Sequence, residues 1–250
     1  MTNPWFPVLA SVVLVSLISL IGILFVAVNQ ERLQRLIFVL VSLAVGGLFG
    51  DVFLHLLPEA FALREAATRT SLGVLAGIFL FFILDKFLRW RHEHLLHGVG
   101  PVQPVGYINL IADGVHNLLD GMMIAAAFQV GPSVGVATTL AVVLHEIPQE
   151  IGDFGVLVFA GFSRRRALLF NFFSASLSIL GAALVLLLGT RQPSFSTLLI
   201  PVTAGGFIYI AGSDLLPELH KELRISRSLV QLLAISAGVL LMLGLRLLGN

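Results

Sequence analysis

From Pro7 to Val28 the chain is apolar, and residues 1–30 carry no charged side chain. A run of about 20 such residues spans a bilayer as a helix, because lipid offers backbone N–H and C=O groups no partner and a helix pairs them internally. No basic segment precedes the run and no small-residue cleavage site is evident. It is therefore expected to be a retained first span rather than a signal peptide. The pattern then recurs. Hydropathy and breakers predict eight spans, at 7–28, 36–57, 71–90, 105–129, 133–161, 167–189, 196–219 and 228–248, several of them long enough to tilt or protrude. Only 12% of the residues are charged, against about a quarter in a soluble domain. The expectation is an all-α membrane protein with a single transmembrane domain over 1–250.

A net charge of +1 argues against nucleic acid as a partner, and the absence of cysteine excludes disulfides and thiolate metal sites. Orientation follows from Lys and Arg. With the N-terminus outside, eleven of the fifteen fall at cytoplasmic ends, among them Arg32, Arg35, Lys86, Arg164, Arg165, Arg166, Lys221, Arg224 and Arg227. The outer ends hold four: Arg64, Arg69, Arg191 and Arg246. Both termini are expected outside, in a plasma (inner) membrane.

The chain also echoes itself. His55-Leu-Leu-Pro58-Glu59 closes the second span and Asp214-Leu-Leu-Pro217-Glu218 the seventh. On this topology the two copies face opposite sides, which is what an inverted 3+2+3 repeat would leave.

Polar chemistry is concentrated in spans four and five. Asp113, His116, Asn117 and Asp120 fall at i, i+3, i+4 and i+7, on one helical face. In the next span His145 and Gln149 share a face, as do Glu146, Glu150 and Asp153. A turn at Gly131-Pro132 lets the two helices return antiparallel. Residues 105–162 thus hold five acids and no Lys or Arg. A carboxylate at mid-membrane costs at least ~2.5 kcal/mol on insertion scales, so either protonation or a mobile cation is implied, and the neighbouring His116, His145, Asn117 and Gln149 favour a metal ion. Imidazole and carboxylate together suit zinc and its divalent neighbours. Pro148 removes a backbone hydrogen bond beside these groups, the kind of break that transporter sites exploit.

Lesser signals lie elsewhere. Asp51 and His55, four apart in span two, are expected to form a third ligand-bearing helix face. The cytoplasmic loop 91–104 holds His92, His94 and His97, which could capture metal or be an ordinary polar loop. Met122 and Met123 are expected to pack. Asn171, Ser174, Ser176 and Ser178 could line a polar path or bind helices together.

At these residues the sequence resembles the ZIP family of zinc and iron transporters. The resemblance rests on His116-Asn117-Leu-Leu-Asp120-Gly121, on His145-Glu146-Ile-Pro148-Gln149-Glu150-Ile-Gly152-Asp153-Phe154, and on Gly50-Asp51-Val-Phe-Leu54-His55-Leu-Leu-Pro58. It implies a ZIP-like fold and a binuclear mid-membrane centre. His116, Asp120, His145 and Gln149, with His55, would hold the main ion; Asn117, Asp120, Glu146 and Gln149 would border a second. Asp51, Asp113, Glu150 and Asp153 remain as pathway or supporting residues. The resemblance further implies a homodimer, with the helix set containing spans four and five moving against the rest. Gln149 departs from the pattern, which has His there, and a neutral amide is a poorer zinc ligand than imidazole.

The function expected is transport of divalent metal, foremost Zn²⁺, into the cytosol, with the ion as cargo and no cofactor. An intramembrane metalloprotease would need a second His at the place of Gln149. A membrane metal sensor would usually bring a soluble signalling domain, and the sequence has none evident.

Overall fold

A computed structural model describes residues 4–23, 29–62, 67–94, 104–189 and 193–248, and among these the secondary structure is helical. Helix α1, Trp5–Ile18, is extended by a 3₁₀ turn over Ser19–Ile23. Helix α2, Gln30–Asp51, starts at Asn29, whose side chain accepts the Glu31 N–H (3.0 Å) and so satisfies one orphan donor of the first turn. It passes through a π turn, Val52–Leu56, into α3, Leu57–Ala62. Helix α4 covers Ala67–His94. Helices α5, Pro104–Val130, and α6, Pro132–Phe159, are joined at Gly131. Helices α7, Arg164–Ala175, and α8, Leu177–Gly189, are separated by a break at Ser176. Helix α9, Pro193–Tyr209, runs through a second π turn, Ile210–Leu215, into α10, Leu216–His220, and α11 covers Ile225–Leu248.

Among the described residues, six helical stretches are long and apolar enough to cross a membrane: Trp5–Gly22, Gln34–Ala62, Ala67–Lys86, Arg164–Leu188, Leu198–His220 and Ile225–Leu248. Helices α5 and α6 have the length, 27 and 28 residues, but they bear the five carboxylates that dilute their apolar character. The expected loop at 91–104 begins later than its sequence suggested, because α4 continues through His94. The side chains of His92 and His94, and all of His97, lie outside the described residues.

Each Leu-Leu-Pro-Glu copy begins on the last residue of a π turn, for a covalent reason. Proline has no N–H, so the i→i−4 ladder fails at Pro58 and Pro217. The residue before each proline reaches five back instead: the Leu57 N–H bonds the Val52 carbonyl, and the Leu216 N–H bonds that of Ala211. Pi turns of this kind re-aim neighbouring side chains, here Asp51 and His55 at the first copy.

Helix pairs approach until backbone meets backbone, with a glycine on both sides of the seam. A Cβ at Gly121 of α5 would lie 1.8 Å from the Ser178 carbonyl oxygen, and one at Gly181 of α8 would lie 1.9 Å from that of Leu118. The pair α2–α11 repeats this with Gly46 against Ile235 (2.0 Å) and Gly238 against Leu43 (2.4 Å). In α4–α9, a Cβ at Gly77 or at Gly205 would lie 2.1 Å from a carbonyl oxygen, of Val202 and Val74 respectively. Small residues are how membrane helices gain contact when lipid supplies no hydrophobic drive. Within this bundle α6 packs on α1, α2, α5 and α7, so the polar face predicted for it is enclosed by other helices rather than by lipid.

Candidate metal centre

Helices α5 and α6 bring four of the predicted residues together. One ligand atom each from His116, Asp120, His145 and Glu146 falls within 4.8 Å of the other three. His116 and Asp120 are one turn apart on α5, so both point the same way; His145 and Glu146 face them from α6. The His116 and His145 Nε2 atoms stand 3.3 Å apart. His145 Nε2 is 3.2 Å from Asp120 Oδ2 and 3.5 Å from Glu146 Oε1; His116 Nε2 is 3.8 and 3.4 Å from the same two oxygens. A tetrahedron with bonds of about 2.0–2.1 Å to a central zinc has edges of about 3.3–3.4 Å. The spacing of these side chains is therefore close to that of a filled tetrahedral shell.

The surroundings fix the chemistry further. His145 Nδ1 lies 3.1 Å from the Ala141 carbonyl oxygen. A carbonyl only accepts, so Nδ1 carries the proton and Nε2 presents its lone pair to the centre. Asp120, His145 and Glu146 are fully buried, and the carboxylate oxygens of Asp120 and Glu146 make no hydrogen bond. Lys and Arg ion pairs of the described residues lie at helix ends: Arg35–Glu31, Arg227–Glu222, Lys221–Glu218 and Arg246–Glu59. Two buried carboxylates match the charge of one divalent cation, and burial makes that match matter, since each uncompensated charge costs several kcal/mol.

The remaining predicted residues divide. Gln149 is half-buried and lines a cavity of about 150 Å³ beside the centre, together with His116, Asp113, Asp153, Asp85 and Tyr209. Asn117 is buried and turned to Asp113, its amide donating to Asp113 Oδ1 (2.8 Å). Asp153 accepts from the Asn109 amide (3.1 Å), and Glu150 from that of Asn171.

His55 is not brought into the group of four. It is buried with Nδ1 3.5 Å from Asp51 Oδ1, and Asp51 Oδ2 accepts from the Thr138 hydroxyl (2.9 Å). Thr138 precedes His145 by seven residues, about 10 Å along α6. Asp51, His55 and Thr138 thus form a separate polar cluster farther along the same helix.

Some participants escaped the sequence reading. Thr138 stands at i−7 from His145, a spacing that could have placed it on the ligand face. Asn109 and the Tyr209 hydroxyl, which donates to Asp85 (3.0 Å), carry no such signal, because their partners come from other helices. Of the polar residues on α7 and α8, Ser178 bonds Ser16 of α1 (3.0 Å) and Ser174 donates to the Leu110 carbonyl (2.9 Å). These two bind helices together, whereas Asn171 supports an acid. Met123 packs in the core.

A helical bundle of membrane-spanning length, with two imidazoles and two carboxylates gathered at one point, defines a class: a multi-pass membrane protein equipped to hold a divalent cation. The particular family follows from comparison. The model of the ZIP zinc transporter family matches residues 3–103 and 92–246, and the chain belongs to that family. It is 40% identical to zinc transporter ZIP13 of Pongo abelii over 220 residues, covering 81% of this chain and 65% of that protein. The ZIP13 homolog of Drosophila melanogaster is 34% identical, with 96% of this chain and 88% of the relative covered. Zinc transporter SLC39A7 of Homo sapiens is 30% identical, with 95% and 70% covered.

Proposed function

We propose that this protein is a transporter, not an enzyme, and that it carries zinc across the membrane into the cytosol through the centre formed by His116, Asp120, His145 and Glu146. The observation that carries the reading is the set of two imidazole nitrogens and two carboxylate oxygens within 4.8 Å of one another, buried except for His116, which opens onto the cavity. Such a set compensates a divalent ion in both charge and coordination. The zinc transporters of the same family add to it.

The proposed route runs along α6. On the orientation set by Lys and Arg, both termini lie outside and the helices cross eight times. Ions then enter past Asp51, His55 and Thr138, lose water at the centre, and leave through the cavity lined by Gln149, Asp113 and Asp153. Asn117 and Gln149 border a second ion position next to the first. The paired π turns leading into Leu-Leu-Pro-Glu support an inverted relation between spans 1–3 and 6–8. Two copies of the chain are proposed to form a homodimer in a plasma membrane. His92, His94 and His97 collect metal at the cytoplasmic face.

The deciding experiment is uptake of radioactive zinc by proteoliposomes containing the purified protein, with unlabelled Cd²⁺, Fe²⁺ and Mn²⁺ as competitors. Time-dependent, saturable zinc accumulation is expected. Accumulation no greater than in empty liposomes would refute transport.

Orientation has its own test, helped by the absence of native cysteine. A cysteine replacing Arg165 should react with an impermeant maleimide only from the cytosolic side, and one replacing Arg69 only from outside. Both positions are exposed. The reversed pattern would invert the route.

Gln149 sets the metal preference. An amide oxygen binds without losing a proton but more weakly than imidazole, and it favours harder ions. Gln149→His should tighten zinc binding by about tenfold or more and make it fall off more steeply in acid, because imidazole must be neutral to coordinate. Titration calorimetry with Zn²⁺ and Mn²⁺ at two pH values reads both effects. Unchanged affinities in Gln149→His and Gln149→Ala would remove Gln149 from the centre.

A further inference from the structure

Three acids beside the centre, Asp113 and Glu150 buried and Asp153 half-buried, share one arrangement. Asp113 Oδ1 accepts from the Asn117 amide at 2.8 Å, and Asp153 Oδ1 from the Asn109 amide at 3.1 Å. A Glu150 carboxylate oxygen accepts from the Asn171 amide. In each pair an asparagine holds one carboxylate oxygen and the other is left over. Asp113 Oδ2, Asp153 Oδ2 and Glu150 Oε1 are buried and have no hydrogen-bond partner. Ser174 is near Asp113, but its single hydroxyl proton goes to the Leu110 carbonyl (2.9 Å). Asp113 and Asp153 line the same cavity of about 150 Å³, a volume roomy enough for several waters.

A buried carboxylate oxygen without a partner is costly, and three of them converging on one region are not explained by packing. The asparagines also do something specific. Each fixes its carboxylate in orientation while adding no charge, which is how supporting residues prepare a ligand. The one imidazole that lines this cavity, His116, belongs to the group of four, which leaves oxygen ligands to the acids, and the chain has no thiolate.

We propose that Asp113 and Asp153, with Glu150 adjoining, form a further cation station built from oxygen alone, distinct from the ion position bordered by Gln149. It takes hard divalent cations that keep part of their water shell, of the Mn²⁺ and Mg²⁺ type. The asparagine clamps at 109, 117 and 171 hold its geometry. Its place on an exit route rests on the transport reading above, but the binding itself does not.

The test therefore uses binding, on the purified full chain. One equivalent of Zn²⁺ is added first, and Mn²⁺ is then titrated with electron paramagnetic resonance as the readout. Wild type is expected to bind one Mn²⁺ in addition to the zinc. The double variant Asp113→Asn, Asp153→Asn keeps the size of both side chains and an acceptor oxygen for each clamp. Its Mn²⁺ affinity should fall by at least about tenfold more than its zinc affinity. The reciprocal variant His116→Ala, His145→Ala should lose zinc and retain Mn²⁺. The station is overturned if zinc-loaded wild type takes up no Mn²⁺, or if the double Asn variant binds Mn²⁺ as wild type does. If the Asn variant loses both metals together, the His variant decides: retained Mn²⁺ supports the station and lost Mn²⁺ refutes it. Failure of transport would appear in zinc uptake alone and leave these titrations unaffected.

Discussion

Asp120→Ala is expected to abolish zinc uptake while the protein still reaches the membrane at wild-type abundance. Asp120 Oδ2 stands 3.2 Å from His145 Nε2 and 3.8 Å from His116 Nε2, so the side chain closes the shell from α5 against α6. Removing it takes away one ligand and half of the charge that compensates a divalent ion. A charge left unmatched in a buried site costs several kcal/mol, and each 1.4 kcal/mol is a factor of ten. Zinc affinity and uptake should each fall by at least about 100-fold. Folding should not suffer in the same way. Asp120 is fully buried, and neither of its oxygens makes a hydrogen bond. Without metal it is a liability, and alanine is the better helix former. In the presence of a chelator the variant should therefore unfold at a temperature equal to or above that of wild type. Added zinc should raise the wild-type midpoint by mass action and leave the variant unmoved. Wild-type uptake in Asp120→Ala at equal abundance would remove Asp120 from the site.

Gly121→Leu should prevent the bundle from assembling. A Cβ there would lie 1.8 Å from the Ser178 carbonyl oxygen, and the obstacle is backbone, which cannot rotate aside. Helices α5 and α8 would have to separate along a seam that Gly181 closes from the other side. Overpacking a tight core costs roughly 1–3 kcal/mol when side chains can adjust, and here they cannot. The variant should show near-complete loss of monodisperse protein on size exclusion, and Gly181→Leu the same. Gly244→Ala in α11 is the control, because a Cβ at Gly244 meets nothing within 4 Å. A monodisperse Gly121→Leu protein with wild-type thermal stability would contradict the packing described for α5 and α8.

The sequence made the outline of the fold legible because lipid leaves a chain so few options. Long apolar runs must be helices, and their ends could be read to within a few residues, as with α11 or the Gly131 joint between α5 and α6. The helix through His94 was missed, because Arg91-His92-Glu93-His94 looks like a loop by polarity although nothing in it breaks a helix. The π turns were signalled only indirectly, through Pro58 and Pro217. The reciprocal glycine seams, such as Gly121 against the backbone of α8, pair residues from different helices, which no local spacing encodes.

The candidate centre was legible where its spacing lies within one helix. His116 and Asp120 are one turn apart, and His145 and Glu146 are adjacent, so helical periodicity and one turn between the helices suffice to bring them together. Contacts across helices were not legible. His55 resembled a ligand by residue type, but its π turn places it with Asp51 and Thr138. The Asn109–Asp153 and Asn171–Glu150 clamps join helices in ways that no local spacing encodes.

The account turns on four named side chains holding the metal, and X-ray absorption at the zinc edge tests this directly on the purified protein loaded with one equivalent of Zn²⁺. The account predicts four nitrogen and oxygen neighbours at about 2.0–2.1 Å, with outer-shell scattering from two imidazole rings that disappears in His116→Ala, His145→Ala. A shell of six oxygens with no imidazole scattering, or a spectrum unaltered by that double substitution, would contradict it.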